Sequence, residues 1–313
     1  MTTLLPDRPI AGQPARPAAA PKSRSTWRSV LALSRPGQWT KNVLVLSAPA
    51  AAGVLDQSQA VSRALVMILA FTAAAVSVYA LNDVLDADAD RAHPVKRHRP
   101  VADGSLAPTA ALAWSALMAA AALGIAGWLG PASLGVVGCY LVISASYAVW
   151  LKRVAVLDIV VVASGFVLRA LAGAVAVGLT ASNWFLLISL FGALYLVVGK
   201  RAAEAARTPA ERSVTRSVLT QYPEAWLQQV STVALAGSMI SYAMWAFQDL
   251  GTDVFTPVLA LSVVPFLVAL MRYGLLLAQG RGERPERLVL HDRPLLVAGV
   301  VWLLLVGSGL YLA

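Results

Sequence analysis

Charged residues are scarce in this sequence, and cysteine and histidine are almost missing. Asp, Glu, Lys and Arg make up 13% of the 313 residues, whereas soluble globular domains average about 25%. The single cysteine, Cys139, excludes a disulfide framework, and three scattered histidines are too few for a transition-metal site. Hydrophobic residues reach 58%. These values exclude a pair of soluble domains and favour one helical bundle with lipid as its solvent.

The beginning of the chain differs from the rest in composition. Residues 1–25 are polar and rich in Pro and Ala, have no apolar core of the signal-peptide kind, and predict a disordered N-terminal tail. Residues 26–313 are expected to form one transmembrane catalytic domain. It begins with an interfacial helix at about 26–36, which Trp27 and Trp39 anchor at the membrane surface.

Apolar runs of the length that crosses a bilayer, about 20 residues, recur along the whole domain. They predict an all-α integral membrane protein, a single bundle of about nine transmembrane helices. The expected spans lie near residues 39–57, 60–82, 107–129, 131–150, 155–178, 183–200, 226–247, 254–276 and 294–312.

The net charge of +9 is distributed in a pattern typical of membrane topology. Basic residues cluster in the N-terminal tail and in every second connection, and the intervening connections carry almost none. This is the positive-inside pattern, and it argues against a nucleic-acid partner. It also predicts that the long connections at 83–106, 201–225 and 277–293 lie on the cytoplasmic side, where we expect the chemistry.

One of these connections carries the most informative motif. The stretch reads Asn82-Asp83-Val-Leu-Asp86-Ala-Asp-Ala-Asp90-Arg-Ala-His93-Pro94-Val-Lys96-Arg97-His98-Arg99 and follows an apolar span directly. In a helix, Asp83, Asp86 and Asp90 share one face, whereas Asp88 points elsewhere. Three such carboxylates repel one another near a bilayer, and Mg²⁺ with substrate phosphates would neutralise them. Pro94 is expected to end the helix.

A charge run of this kind is more often only a solvated juxtamembrane loop. Here the carboxylates begin at the very end of an apolar run and keep helical spacing, which favours a metal site instead. Three basic residues that follow in the same loop are candidate phosphate ligands: Lys96, Arg97 and Arg99.

A second group of polar residues surrounds the next inner turn. Tyr147, Lys152, Arg153 and Asp158 lie together there, and Arg169 follows about three turns into the next span. An arginine that deep needs a polar cavity or an ion partner, so the alternative is a structural Asp–Arg pair. Further basic residues at helix ends would each be snorkelling anchors alone, but together could ring a polyanion site: Lys41, Lys200, Arg201, Arg272 and Arg293.

Several small residues permit close helix contacts within the bundle or between subunits of a homo-oligomer. They are Gly124, Gly127, Gly173 and Gly178. The sequence leaves these two alternatives open.

Three features resemble the UbiA prenyltransferase superfamily: the motif NDxxDxxxD at the inner end of a span, YxxxxK with a downstream Asp, and about nine spans. The resemblance covers the chain from about Ser34 onward. The stretches SRPGQWTKNVLVLSAP, HPVKRHRP, NWFLLISLFGALYLVVGKRAAE and LHDRPL are similar to the branch of decaprenyl-phosphate phosphoribosyltransferases.

The resemblance implies magnesium-dependent transfer of 5-phosphoribose from phosphoribosyl pyrophosphate to a polyprenyl (decaprenyl) phosphate. Diphosphate would leave, and the product would begin the arabinose donor of actinobacterial cell walls. It implies an active site facing the cytoplasm in the bacterial inner membrane. The implied Mg²⁺ ligands are Asp83, Asp86 and Asp90, which with Lys152 are the catalytic residues. The implied substrate-binding residues are Lys41, Asn82, Lys96, Arg99, Tyr147, Arg153, Asp158, Arg169, Lys200, Arg201, Arg272 and Arg293.

Two other functions compete with this one. Most members of the superfamily transfer a prenyl chain from its diphosphate to an aromatic acceptor, and those typically carry a second acidic motif. This sequence has only Asp158 at that place. A transporter is a more distant alternative, but it predicts ionisable groups through the whole bilayer depth rather than mainly at one face.

Overall fold

The computed structural model describes residues 26–205, 217–248, 256–279 and 291–312, and in these ranges the protein is helical without strands. The predicted tail at 1–25 lies outside the described residues. The α-helices are α1 (Thr26–Ser34), α2 (Ser47–Ala51), α3 (Ser58–Leu85), α4 (Ala87–Ala92), α5 (Pro108–Leu129), α6 (Pro131–Val149), α7 (Leu157–Val177), α8 (Asn183–Ala205), α9 (Glu224–Ala246), α10 (Thr256–Leu261), α11 (Val263–Ala278) and α12 (Arg293–Tyr311). Four 3₁₀ segments cover Pro36–Leu46, Lys96–His98, Leu151–Arg153 and Ser217–Gln221.

The all-α membrane fold is confirmed, but the count of nine spans is not. Among the described residues, seven helical stretches are long and apolar enough to cross a bilayer: Ser58–Leu85, Pro108–Leu129, Pro131–Val149, Leu157–Val177, Asn183–Ala205, Pro257–Ala278 and Arg293–Tyr311. Helix α9 matches the span expected at 226–247 and has 23 residues. It is not among the seven candidate spans. Its first turns are polar, since they contain Glu224, Gln228 and Gln229.

The first expected span, 39–57, is wrong as a single helix. The structure replaces it by the 3₁₀ segment Pro36–Leu46, the short helix α2 and a turn. Pro49 lacks the N–H that a continuous α-helix would bond to the carbonyl of Val45. Gly53 then adopts φ 67°, which ends the helical path. The segment is apolar because it packs against α3 and α7, so its hydropathy reflects protein contacts as well as lipid.

The bundle brings all the long connections to one end. Consecutive helices pack side by side, with the most extensive contacts between α3 and α5, between α8 and α9, and between α7 and α8. Because neighbours in sequence run in opposite directions, the last residues of α3, α6, α8 and α11 share one end with the first residues of α5, α7, α9 and α12. We call this the inner end. Helix α1 lies against α3, and its location at a membrane surface stays a prediction.

Arg63 ties three helices together near the opposite end. Its Nε atom donates to the carbonyl of Ala176 in α7 at 2.5 Å, and Nη2 donates to the carbonyl of Leu129 in α5 at 2.8 Å. The last carbonyls of a helix have no intrahelical partner. The guanidinium of α3 therefore caps the ends of both neighbouring helices.

The small residues serve different purposes. Gly173 in α7 touches the 3₁₀ segment, and Gly178 adopts φ 77° where α7 ends. Gly124 and Gly127 in α5 have no described atom within 4 Å of a Cβ built on them. Contacts or turns inside the chain therefore explain Gly173 and Gly178. Self-association of the protein stays a prediction.

The substitution Gly173→Ala is expected to destabilise the bundle. A Cβ at this position would lie 1.8 Å from the carbonyl oxygen of Val45, so the 3₁₀ segment must shift. Overpacking of this kind costs about 1–3 kcal/mol, which thermal unfolding of the purified protein would show as a lower midpoint. The matched control is Gly124→Ala, which should leave the midpoint unchanged or slightly higher because alanine favours helix. Equal midpoints for the two variants would contradict the close contact.

Candidate active site at the inner end of the bundle

The three aspartates of the first motif lie on a nearly continuous helical path. Helix α3 ends at Leu85, Asp86 has φ −101° and ψ 7°, and α4 follows directly. The backbone bonds Asp86 N–H to Asn82 O (2.9 Å) and Asp90 N–H to Asp86 O (2.8 Å) carry the path through this break. Asp83 and Asp90 are buried and Asp86 is partly exposed, whereas the side chain of Asp88 is 96% exposed. We call Asp83, Asp86 and Asp90 the acidic face.

Each carboxylate of the acidic face contacts a basic side chain from another segment. Arg35 donates a hydrogen bond to Asp83, and Lys152 Nζ lies 2.5 Å from Asp86 Oδ1. Arg99 bridges two aspartates, because its Nη1 atom lies 2.6 Å from Asp90 Oδ2 and 3.3 Å from Asp83 Oδ1. We call these three residues, Arg35, Arg99 and Lys152, the counter-cations. The structure therefore brings together three acidic and three basic groups at the inner end.

The carboxylates do not converge on one point by themselves. Among the described residues, no group of three or more His, Cys, Asp or Glu side chains is arranged to hold a metal ion. The donor chemistry nevertheless fits Mg²⁺, which prefers carboxylate oxygens. The Nη1 atom of Arg99 stands between oxygens of Asp83 and Asp90, so a cationic group already occupies the position between two candidate ligands.

The loop after α4 is shaped by its own side chains. His93 Nδ1 accepts hydrogen bonds from the N–H groups of Val95 (3.1 Å) and Lys96 (3.3 Å), which turns the chain and leads it through the 3₁₀ segment to Arg99.

Asn82, which the sequence suggests as a substrate ligand, donates its amide to the carbonyl of Val78 at 3.0 Å.

Arg169 lies deeper in the bundle and is buried. Its Nε atom donates to Asn42 Oδ1 (2.9 Å), Nη1 to the carbonyl of Gly165 (2.7 Å) and Nη2 to the Tyr140 hydroxyl (3.0 Å). The guanidinium also lies 4.8 Å from the centre of the Tyr140 ring, a cation–π contact. Asn42 in turn donates to Thr72 at 3.0 Å. Arg169 therefore fixes the 3₁₀ segment between α7 and α3.

Asp158 is fully buried at the start of α7, and both its oxygens are occupied by the protein. Arg201 Nε lies 3.0 Å from Oδ2, and the Tyr222 hydroxyl donates to Oδ1. Arg201 also donates to Glu204 at 2.8 Å. Burial, together with the hydrogen bond to Asp158, raises the pKa of the Tyr222 phenol to about 12, so the hydroxyl keeps its proton and remains a donor at neutral pH. This cluster joins α7 and α8 to the segment that precedes α9.

The remaining predicted ligands are spread over the inner end. Arg272 in α11 pairs with Asp292 at 3.0 and 2.8 Å, and Asp292 caps α12 through the N–H of Leu295. Arg272 therefore joins α11 to α12 and takes part in no described contact with the acidic face. Arg153 and Arg293 are exposed. Lys200 is exposed, with Nζ 3.9 Å from Glu204. Lys41 and Lys96 are partly exposed in 3₁₀ segments, and Tyr147 lies near Arg201.

Sequence reasoning missed Arg35, Tyr140 and Tyr222 as parts of these clusters. Arg35 precedes Pro36 and has φ 48°, a left-handed conformation that is uncommon for residues other than glycine and often marks a functional position. The Arg-Pro-Gly sequence is a signal for an unusual backbone there. No spacing rule links it to Asp83, which is 48 residues away.

Comparison with known proteins places this chain in a family. The model of the UbiA prenyltransferase family matches residues 43–289. A decaprenyl-phosphate phosphoribosyltransferase of Mycolicibacterium smegmatis is 36% identical over 308 residues, which cover 95% of this chain and 96% of the relative. One of Corynebacterium glutamicum is 37% identical over 286 residues, 89% of this chain and 85% of the relative.

Solved structures agree on the fold. A UbiA homolog from Archaeoglobus fulgidus bound to GPP and Mg²⁺ superposes with a TM-score of 0.65 at 18% identity, over 90% of this chain and 98% of the homolog. At this identity the likeness concerns the fold alone. With the family match over most of the chain, the protein belongs to the UbiA prenyltransferase family and is a membrane-embedded transferase.

Proposed function

We propose that the protein transfers 5-phosphoribose from phosphoribosyl pyrophosphate to a polyprenyl phosphate and releases diphosphate. The reaction requires Mg²⁺ and takes place on the cytoplasmic side of the bacterial inner membrane, in the synthesis of a cell-wall arabinan precursor. The observation that carries the proposal is the pairing of the acidic face with the counter-cations at the inner end. Such a site offers both metal ligands and phosphate ligands. The names of the relatives in M. smegmatis and C. glutamicum support the choice of substrates.

In this reaction the bond between C1 of the ribose and the diphosphate breaks while an oxygen of the lipid phosphate bonds to C1. The electron pair of the broken bond stays with the diphosphate, and a single displacement inverts C1 from α to β. Asp83, Asp86 and Asp90 would hold Mg²⁺, which supplies charge neutralisation for the leaving diphosphate. Lys152 and Arg99, which contact the acidic face, would donate charge-assisted hydrogen bonds to the same phosphates.

The acceptor needs no strong general base. A lipid phosphate is already an anion, and the sugar passes through an oxocarbenium-like state as in glycosyl transfer generally. The acidic face is therefore needed only to bind the leaving diphosphate, and not to deprotonate the acceptor. The polyprenyl chain would lie along the apolar bundle and reach the site laterally from the bilayer.

Prenyl transfer to an aromatic acceptor is the second candidate, because the A. fulgidus homolog of the same fold was solved with GPP and Mg²⁺. Two features weigh against it here. Asp158 stands alone where a second acidic motif is expected, and both its oxygens are engaged by Arg201 and Tyr222. A second metal at that place would have to displace a buried guanidinium.

Product identification tests the proposal. Purified protein is incubated with Mg²⁺, phosphoribosyl pyrophosphate and polyprenyl phosphate, and the lipid fraction is analysed by mass spectrometry. We expect phosphoribosyl-phosphoryl-polyprenol and an equal amount of diphosphate, and no product from a polyprenyl diphosphate with an aromatic acceptor. The reverse pattern would replace phosphoribosyl transfer by prenyl transfer.

A further inference from the structure

The counter-cations and a bound metal need the same carboxylate oxygens. The Nη1 atom of Arg99 is 2.6 Å from Asp90 Oδ2 and 3.3 Å from Asp83 Oδ1. Mg²⁺ takes oxygen ligands at about 2.0–2.1 Å and tolerates little distortion. A guanidinium nitrogen held between two carboxylates therefore competes with the metal for one position. Lys152 contacts one oxygen of the third carboxylate, Asp86.

A bound diphosphate would compete with the carboxylates for the N–H donors of the counter-cations. Guanidinium and ammonium groups form their strongest hydrogen bonds with carboxylate or phosphate oxygens. An N–H directed at Asp83 or Asp90 is not available to a phosphate in the same geometry. These N–H groups must turn away from the acidic face before they can donate to the substrate.

Exposure shows which partner is able to move. The side chains of Asp83 and Asp90 are 1% and 4% exposed, whereas those of Arg35 and Arg99 are 27% and 26% exposed. Asp83 and Asp90 form the floor of the site and the two arginines lie nearer its surface. The third pair is the reverse, because the side chain of Lys152 is 14% exposed and that of Asp86 is 34% exposed. A ligand that arrives from the surface meets the arginines first and can draw them away from the floor.

We propose that Arg35 and Arg99 exchange partners when the substrate binds, leaving Asp83 and Asp90 for the diphosphate while the metal takes their place. The inference rests on the proposed function and deepens it, because it makes the metal–diphosphate complex the unit that the site recognises. A divalent cation alone would meet carboxylates already neutralised by the counter-cations. Diphosphate alone would meet cations already paired. Each component therefore strengthens the binding of the other, which is a coupling between two ligands.

The substitution Arg99→Gln tests the exchange, because the two ligands should respond in opposite directions. Without the guanidinium, Asp90 loses its basic partner and the position between Asp83 and Asp90 is open to a cation, so Mg²⁺ alone should bind about tenfold more tightly. Inorganic pyrophosphate at saturating Mg²⁺ loses a hydrogen-bonding partner and should bind about tenfold more weakly. Both affinities are measured by titration calorimetry of the full-length protein in neutral-lipid nanodiscs. Arg99→Lys, which keeps the charge, should restore most of both values.

The matched control is Arg91→Gln, since Arg91 is in the same connection but pairs with the exposed Asp88. Neither affinity should change in this variant. If Arg99→Gln does not fold, Arg35→Gln makes the same prediction through Asp83. An unchanged or weaker affinity for Mg²⁺ alone, in a variant that folds, would overturn the exchange. These titrations involve no sugar and no acceptor, so they can fail while the product assay succeeds, and the reverse.

Discussion

The variant Asp86→Asn is expected to lose about 10²- to 10³-fold in kcat for phosphoribosyl transfer, the size of effect seen when a group that stabilises developing charge is removed. Asparagine keeps the shape of the side chain but removes the negative charge, and with it a proposed metal ligand and the partner of Lys152. The rate is measured with purified enzyme at saturating donor and lipid phosphate while Mg²⁺ is varied. We expect half-maximal rate at a higher Mg²⁺ concentration than in the wild type.

Asp88→Asn is the control for this experiment. Asp88 is two residues away in the same motif, but its side chain is 96% exposed and pairs only with Arg91 among the described contacts. The variant should retain activity within about twofold, because an exposed ion pair contributes little. Wild-type turnover by Asp86→Asn, or an equal loss in both variants, would remove Asp86 from the metal site.

Replacing Arg201 by methionine should cause the largest loss of stability. Asp158 is fully buried, and the side chain of Arg201 is 5% exposed. Removing one partner of a buried pair leaves the other charge uncompensated and costs about 3–5 kcal/mol. Thermal unfolding in detergent should show a large decrease of the midpoint, even though methionine fills a similar volume.

Two further variants separate this charge effect from a packing effect. The double variant Arg201→Met with Asp158→Asn removes the uncompensated charge and should be more stable than Arg201→Met alone. Arg272→Met breaks a bidentate pair whose arginine is 30% exposed, and its midpoint should decrease less. A double variant no more stable than the single one would show that packing, not the buried charge, dominates at this position.

The acidic motif was predictable because its order is local. Asp83, Asp86 and Asp90 lie within one stretch of helical backbone, and the period of the helix decides which side chains share a face. Even so, the break at Asp86 was not expected. A continuous helical pattern carries no mark of the place where α3 ends and α4 begins.

The partners of the motif were not all predictable, because their order comes from packing. Arg35 lies 48 residues before Asp83, Lys152 lies 66 residues after Asp86, and Arg201 lies 43 residues after Asp158. Composition identified Lys152 and Arg201 as candidates but gave no reason to pair them with these acids. Arg35 was missed, because its role depends on how the 3₁₀ segment packs beside α3.

The expected span at 39–57 shows a limit of hydropathy. Burial against protein and burial against lipid select the same apolar residues, so a segment wedged between α3 and α7 resembles a transmembrane helix in sequence. The residues that distinguish the two are Pro49 and Gly53, which determine the backbone rather than the polarity. Backbone-breaking residues therefore deserve more weight than mean hydropathy inside an apolar run.

The hydrogen bonds by which Arg63 joins α3 to α5 and α7 have a consequence for biogenesis. During synthesis α3 leaves the ribosome before its acceptors, and the carbonyls that receive its guanidinium belong to residues 66 and 113 positions later in the chain. Until α7 has been inserted into the bilayer, water or lipid headgroups must help to solvate the Arg63 guanidinium. A nascent chain arrested before α7 would thus hold this guanidinium without its final acceptor, the carbonyl of Ala176.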